Sequence, residues 1–188
     1  MFPQAFNLDE NPAQQATQES GSNQPPVIDV PKSEKPNVEL FVMSHCPYGT
    51  QIEKGILPVV NELKDKIDFE VKFVHYAMHG EKEIDEQLRQ YCIQKDYNNK
   101  YTTYLGKFLE AGNSNEALSA IGLSESDISQ CVKKTDETYK ITELYEDPEK
   151  TEWSGRFPPF KIHDQENKKY GVRGSPTLVI NGQKVQSG

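Results

Sequence analysis

No stretch of this 188-residue sequence approaches the roughly 18 consecutive apolar residues of a membrane-spanning helix. Nor does it open with a basic flank and an apolar run, so no secretion signal is visible. Residues 1–36 are compatible with a segment left behind by signal removal, or with a stalk next to a membrane anchor. Basic residues are outnumbered 21 to 29, and the formal net charge of -8 argues against a nucleic-acid backbone or an anionic membrane surface as partner. Cysteine is scarce: only Cys46, Cys92 and Cys131. An odd count allows one bridge and one free thiol in an oxidising compartment, or three core thiols in a reducing one. Periodic apolar residues are almost absent from residues 1–36, and a segment such as QQATQESGSNQPP cannot bury enough surface to offset the entropy of ordering. A disordered leader or linker is expected there, and a folded domain over 37–188.

Within that domain, Val38–Met43 alternates and is β-rich, which predicts a buried strand. Pro47 suits the first turn of a helix, where a missing N–H costs nothing. Ile52, Ile56, Val59, Val60 and Leu63 recur at helical spacing, with Pro58 expected to kink the helix. Ile67–Val74 predicts a second strand, so the order is a βαβ unit with parallel strands. From about 81 to 146 the pattern is helical throughout, with runs such as Glu81-Lys82-Glu83 expected on solvated faces. Residues 147–167 read as irregular. Thr177–Ile180 is another strand, Asn181-Gly182 is a hairpin turn, and Gln183–Val185 is the returning strand.

Cys46 lies in FVMSHCPYGT, just past the first strand and at the mouth of a helix. Reaction sites in open α/β sheets lie at that edge. Unpaired N–H groups and the macrodipole favour a thiolate there, which makes it a nucleophile near neutral pH. His45, when protonated, would add to the effect. A buried structural cysteine is the plainer alternative. In GVRGSPT, Pro176 directly precedes a β-run, a position open to a cis bond at Ser175–Pro176 or to an ordinary turn.

These parts in this order, VELFVMSHCPYGT, a proline-containing helix, a helical segment and GVRGSPTLVINGQ, resemble the thioredoxin fold. More narrowly they are similar to the DsbA-like branch, and in layout to the interferon-inducible lysosomal thiol reductases. The resemblance implies an α/β, thioredoxin-like fold with an inserted all-helical segment, here lacking the family's C-terminal helix, so that a fragment of a longer chain is expected. It implies Cys46 as the catalytic nucleophile, with His45, Pro47, Tyr48, Ser175 and Pro176 lining the substrate. A Cys92–Cys131 disulfide across the insertion is expected; two reduced core cysteines, or Cys92 as resolving partner of Cys46, remain open. Gly49 departs from the family by standing where the second cysteine of C-x-x-C belongs.

The function expected is thiol–disulfide oxidoreductase or isomerase-like exchange through one cysteine, with protein or peptide thiols and disulfides, or glutathione, as partners and no cofactor. The rival is a redox-inactive binding or chaperone module of the same fold. Either is expected to work outside the cytoplasm, with membrane attachment only through an anchor preceding this sequence. His75 and His79 have i,i+4 spacing but no third ligand, so no metal is expected. His163 is expected to be solvated. Trp153, Phe157, Pro158, Pro159 and Phe160 form either an apolar rim for unfolded peptide or a lid packed on the domain's own helices.

Overall fold

The computed structural model describes residues 30–147, 149–153 and 155–185, so most of the expected leader lies outside the described residues. Strand β1 (Asn37–Val42) leads into helix α1 (Pro47–Leu63), then strand β2 (Asp68–Phe73). Five helices come next: α2 (Glu81–Asp96), α3 (Asn98–Ala111), α4 (Ser114–Ala120), α5 (Glu125–Tyr139) and α6 (Ile141–Glu146). Helix α7 (Asp164–Tyr170) and the hairpin β3 (Thr177–Ile180) and β4 (Gln183–Val185) complete the order. The sheet runs β2-β1-β3-β4, with β1 parallel to β2 and the other pairs antiparallel. Among the described residues no helix is long and apolar enough to cross a membrane.

Alternation along β1 divides the core. Leu40, Val42, Val71 and Phe73 face the helical insertion, where Ile84, Leu88, Tyr104, Leu105 and Ile128 pack on them. Phe41, Met43, Val74 and Val179 face the other side with Val172, and Tyr170 closes over them. The turn at Asn181 (φ 48°) and Gly182 (φ 79°) has the two positive φ values that match the right-handed twist of a hairpin. Helix α1 runs unbroken through Pro58.

Two features differ from the sequence pattern. Helix α7 forms where irregular chain is expected; its sequence, DQENKKY, has no apolar stripe, and it is held instead by hydrogen bonds. His163 is not solvated: it is buried, and its Nδ1 accepts the Phe73 N–H at 3.0 Å. Asn167 Nδ2 donates to the Phe73 carbonyl at 2.8 Å. Gln94 does the same for Val71, accepting its N–H at 2.8 Å and donating to its carbonyl at 2.9 Å. Side chains of α2, of α7 and of its N-cap thus satisfy the outward backbone groups of Val71 and Phe73 on edge strand β2, which would otherwise be open for pairing.

Burial, with the Lys72 charge nearby, lowers His163 to about 4 from an ordinary 6.5. The unfolded chain therefore takes up this proton first, so stability is present above pH 6.5 and is lost as pH falls through 4. The expected loss is roughly 3 kcal/mol. Urea midpoints of the parent and of His163→Gln across that range check it: the variant is less stable overall, and the gap between the two should narrow by roughly this amount as pH falls from 6.5 to 4.

Candidate functional site

The chain leaves the sheet at Val42 and turns within four residues, with the Cys46 N–H donating to the Met43 carbonyl at 2.9 Å. Cys46 is the N-cap of α1 and Pro47 its first helical residue. That places the thiol among the unpaired N–H groups of the helix start. Sγ points across the sheet edge to the Ser175 carbonyl oxygen, 3.6 Å away. The Ser175–Pro176 peptide is cis. Cys46, Ser175 and Pro176 therefore meet, although the cysteine and the serine are 129 positions apart in sequence.

The thiol is more covered than its place at a strand–helix junction implies: Cys46 is 8% exposed and packs with Phe41, Met43, Val74, Val172 and Val179. Its surroundings are open. Pro47 is exposed and Tyr48 is 72% exposed. Ile52 and Val59 are exposed too, so an apolar stripe runs down the outer face of α1 from beside the thiol. This corrects the face expected from spacing, because the buried stripe is Gly49, Glu53, Leu57 and Val60. Anchoring of Cys46 and Gly49 at the sheet edge sets the helix's rotation, against its own most apolar stripe.

His45 does not turn to the sulfur. Its ring packs edge-on against Phe108 of α3, centroids 5.7 Å apart, and its Nδ1 lies 3.2 Å from Ser44 Oγ. Burial, then the charge of Lys82, lowers its pKa, so it is a poor source of positive charge for Cys46. The segment before Pro176 is braced by Tyr76, whose hydroxyl donates to the Arg173 carbonyl at 3.0 Å. Phe157 stacks on Tyr76, and the Arg156 guanidinium lies 5.2 Å from the Phe157 ring centre. Pro158, Pro159 and Phe160 are buried, so this loop packs down on the domain as a lid. Of its aromatic residues, Phe157 and Trp153 keep partial exposure.

Three buried acids were invisible in the sequence pattern. Glu83 is fully buried, not solvated: one oxygen accepts the Met78 and His79 N–H groups, and the other takes the His45 N–H and the His79 ring. One carboxylate thereby ties the start of α2 to the residue before Cys46. Gln87 adds a bond from the Ser44 N–H at 3.3 Å. Glu86 accepts from Tyr104, Gln90, Arg89 and Ser114. Glu53, two helical turns below Cys46, is fully buried and neither of its oxygens has a protein partner. Burial, with the Glu86 charge adding, pushes its carboxyl up to about 8.

Cys92 on α2 and Cys131 on α5 are joined by a disulfide, with Cα atoms 5.8 Å apart. It lies within the insertion, and Cys46 is a free cysteine. His79 is engaged by Glu83, while the His75 ring packs on Tyr76. Among the described residues no group of three or more His, Cys, Asp or Glu side chains is arranged to hold a metal ion.

A four-stranded sheet of this order, a helix opening at a cysteine opposite a proline loop, and helices inserted between the two halves define a DsbA-like thioredoxin fold. Solved structures share it. BdbD from Bacillus subtilis matches at TM-score 0.54 and 14% identity, over 84% of this chain and 82% of its own. The thiol-disulfide exchange protein alpha-DsbA2 from Wolbachia pipientis matches at 0.52 and 14%, over 82% and 75%. DsbA from Mycobacterium tuberculosis matches at 0.52 and 12%, over 94% and 83%. At such identities the likeness is one of fold. No protein-family model matches the sequence, and no curated protein matches it.

Proposed function

We propose that this protein carries out thiol–disulfide exchange through the single nucleophile Cys46. The observation that carries this reading is the placement of Sγ at the mouth of α1, 3.6 Å from the carbonyl that precedes cis Pro176. The Cys46 thiolate attacks one sulfur of a client disulfide, forming a new S–S bond. The other client sulfur leaves as a thiolate and takes up a proton. An outside thiol, of glutathione or of a second protein, then attacks the mixed disulfide and frees Cys46. If a different thiol of the same client attacks the mixed disulfide instead, Cys46 leaves as the thiolate and the client carries a new pairing, with no net change of oxidation state.

Pro47, Tyr48, Ser175 and Pro176 form the rim against which a client chain would lie, and the apolar stripe of Tyr48 and Ile52 suits unfolded peptide. His45 is the weakest of the expected substrate-lining residues, since its ring serves α3. The Cys92–Cys131 bridge supports an oxidising, extracytoplasmic setting. The domain so proposed spans 37–188, with the preceding residues as linker.

The near-complete cover over Cys46 favours a second reading, a binding module that has lost exchange. Native protein incubated with glutathione disulfide distinguishes them. Glutathionylation is expected at Cys46, reversed by excess glutathione and abolished in Cys46→Ala. If Cys46 stays unmodified in the native protein while the unfolded chain is modified, exchange is lost and the binding module stands.

A further inference from the structure

We propose that the Ser175 hydroxyl crowds the space that the side chain of a second active-site cysteine at position 49 would need and, with Gly49, commits the site to one-thiol chemistry; this rests on Cys46 as the nucleophile. A Cβ on Gly49 would sit 2.6 Å from Ser175 Oγ, 3.2 Å from the Met43 carbonyl oxygen and 3.4 Å from Cys46 Cβ. The first contact is closer than real Cβ atoms come. Gly55 in the same helix has no atom within 4 Å of the equivalent point, so crowding is particular to position 49.

Ser175 cannot turn aside freely. Its oxygen accepts the Met43 N–H at 2.9 Å, a partly buried pairing that rotation of the hydroxyl would break. Its backbone is held from both sides, by the Cys46 thiol on the Ser175 carbonyl and by Thr177 Oγ1 donating to the Gly174 carbonyl at 2.8 Å. A side chain at 49 must therefore orphan the Met43 N–H or lift α1 from the sheet edge.

The chemical consequence concerns release. In a two-cysteine site, a sulfur at 49 attacks the Cys46–client bond, closes a 46–49 disulfide and expels the client as a thiolate. Here Gly49 has no sulfur to make that attack, and Ser175 crowds the space a side chain at 49 would need. The mixed disulfide persists until a free thiol from outside breaks it, with one sulfur leaving and taking up a proton. Gly49 thus favours retention of the client over rapid turnover, and Ser175 is the residue that keeps position 49 without a side chain.

The test compares Gly49→Cys with the double variant Gly49→Cys/Ser175→Ala in glutathione redox buffers. Closing a 46–49 bridge oxidises two thiols and reduces glutathione disulfide to two glutathione molecules, and peptide mass with free-thiol counts tracks it. The double variant is expected to close the bridge with an equilibrium constant at least about tenfold larger than Gly49→Cys alone. If the single variant closes it as readily, or if neither closes it, the proposal is overturned. Gly49→Ala provides a readout without sulfur. It should unfold at a lower denaturant midpoint than the parent, and Ser175→Ala should recover part of that loss; additive losses overturn the proposal. Neither readout requires exchange with a client, so an inert Cys46 would be detected separately by glutathionylation of the parent protein.

Discussion

Glu53→Gln is expected to flatten the alkaline decline in stability of this protein. In the folded chain the Glu53 carboxyl is held at about 8, against an ordinary 4.5, because it is fully buried and faces the Glu86 charge. Between those values the folded chain keeps a proton that the unfolded chain has released. The resulting stability is fully present below pH 4.5 and is lost as pH rises through 8. At about 1.4 kcal/mol per tenfold step, the limit is roughly 5 kcal/mol. Denaturant unfolding at several pH values measures it. Glu53→Gln keeps the shape without the ionisation, so its curve should be level where the parent's falls. An unchanged decline in the variant would remove Glu53 as its cause. His163 acts in the opposite direction, so the two contributions oppose each other between pH 4.5 and 6.5.

Removing the Cys92–Cys131 disulfide should be nearly as costly. The bridge closes a separation of 39 residues, for which the chain-entropy argument gives about 4 kcal/mol. Thr135 sits between the two sulfurs, its Oγ1 3.9 Å from Cys92 and 3.8 Å from Cys131, so a Cys92→Ala/Cys131→Ala variant also takes both sulfur contacts from a buried hydroxyl. Urea titration of that variant against the parent measures the loss. The bridge fastens α2 to α5, and α2 carries Glu83 and Gln87, the side chains that hold Ser44 and His45 beside the thiol. Glutathionylation of Cys46 in the same variant would show whether that support reaches the sulfur; a shift of less than about 0.5 kcal/mol would mean the bridge is not a main stabiliser.

The fold was legible wherever a local pattern and its burial agree. The run LFVM, the cysteine–proline junction and TLVI followed by Asn-Gly each announce their own backbone, and their order is that of a thioredoxin-like sheet. The insertion could be read as helical with apolar faces such as Ile84, Leu88 and Cys92, but its polar packing could not be read. EKEIDEQLRQYCIQKD looks solvated by composition, yet Glu83, Glu86, Gln87, Gln90 and Gln94 are all buried. Several of their partners lie on other elements, among them the backbone of Val71 and Ser44 and the hydroxyls of Tyr101 and Tyr104, which periodicity cannot reveal. Helix α7 was illegible for the same reason, since His163 and Asn167 hold it to β2 through polar bonds. At the candidate site, Cys46 and Pro176 could be marked from local motif, but Ser175 filling the space above Gly49 is a fact of three dimensions.

The polar side chains fastened along β2 have a consequence for self-association. Another molecule approaching that flank finds Val71 and Phe73 already spoken for, so it meets only a short template on which to lay a strand. Ribbon-like growth from β2 is disfavoured by the bonds these side chains already make. A protein proposed to hold unfolded clients can then meet many sticky chains without being recruited, on that flank, into their aggregates.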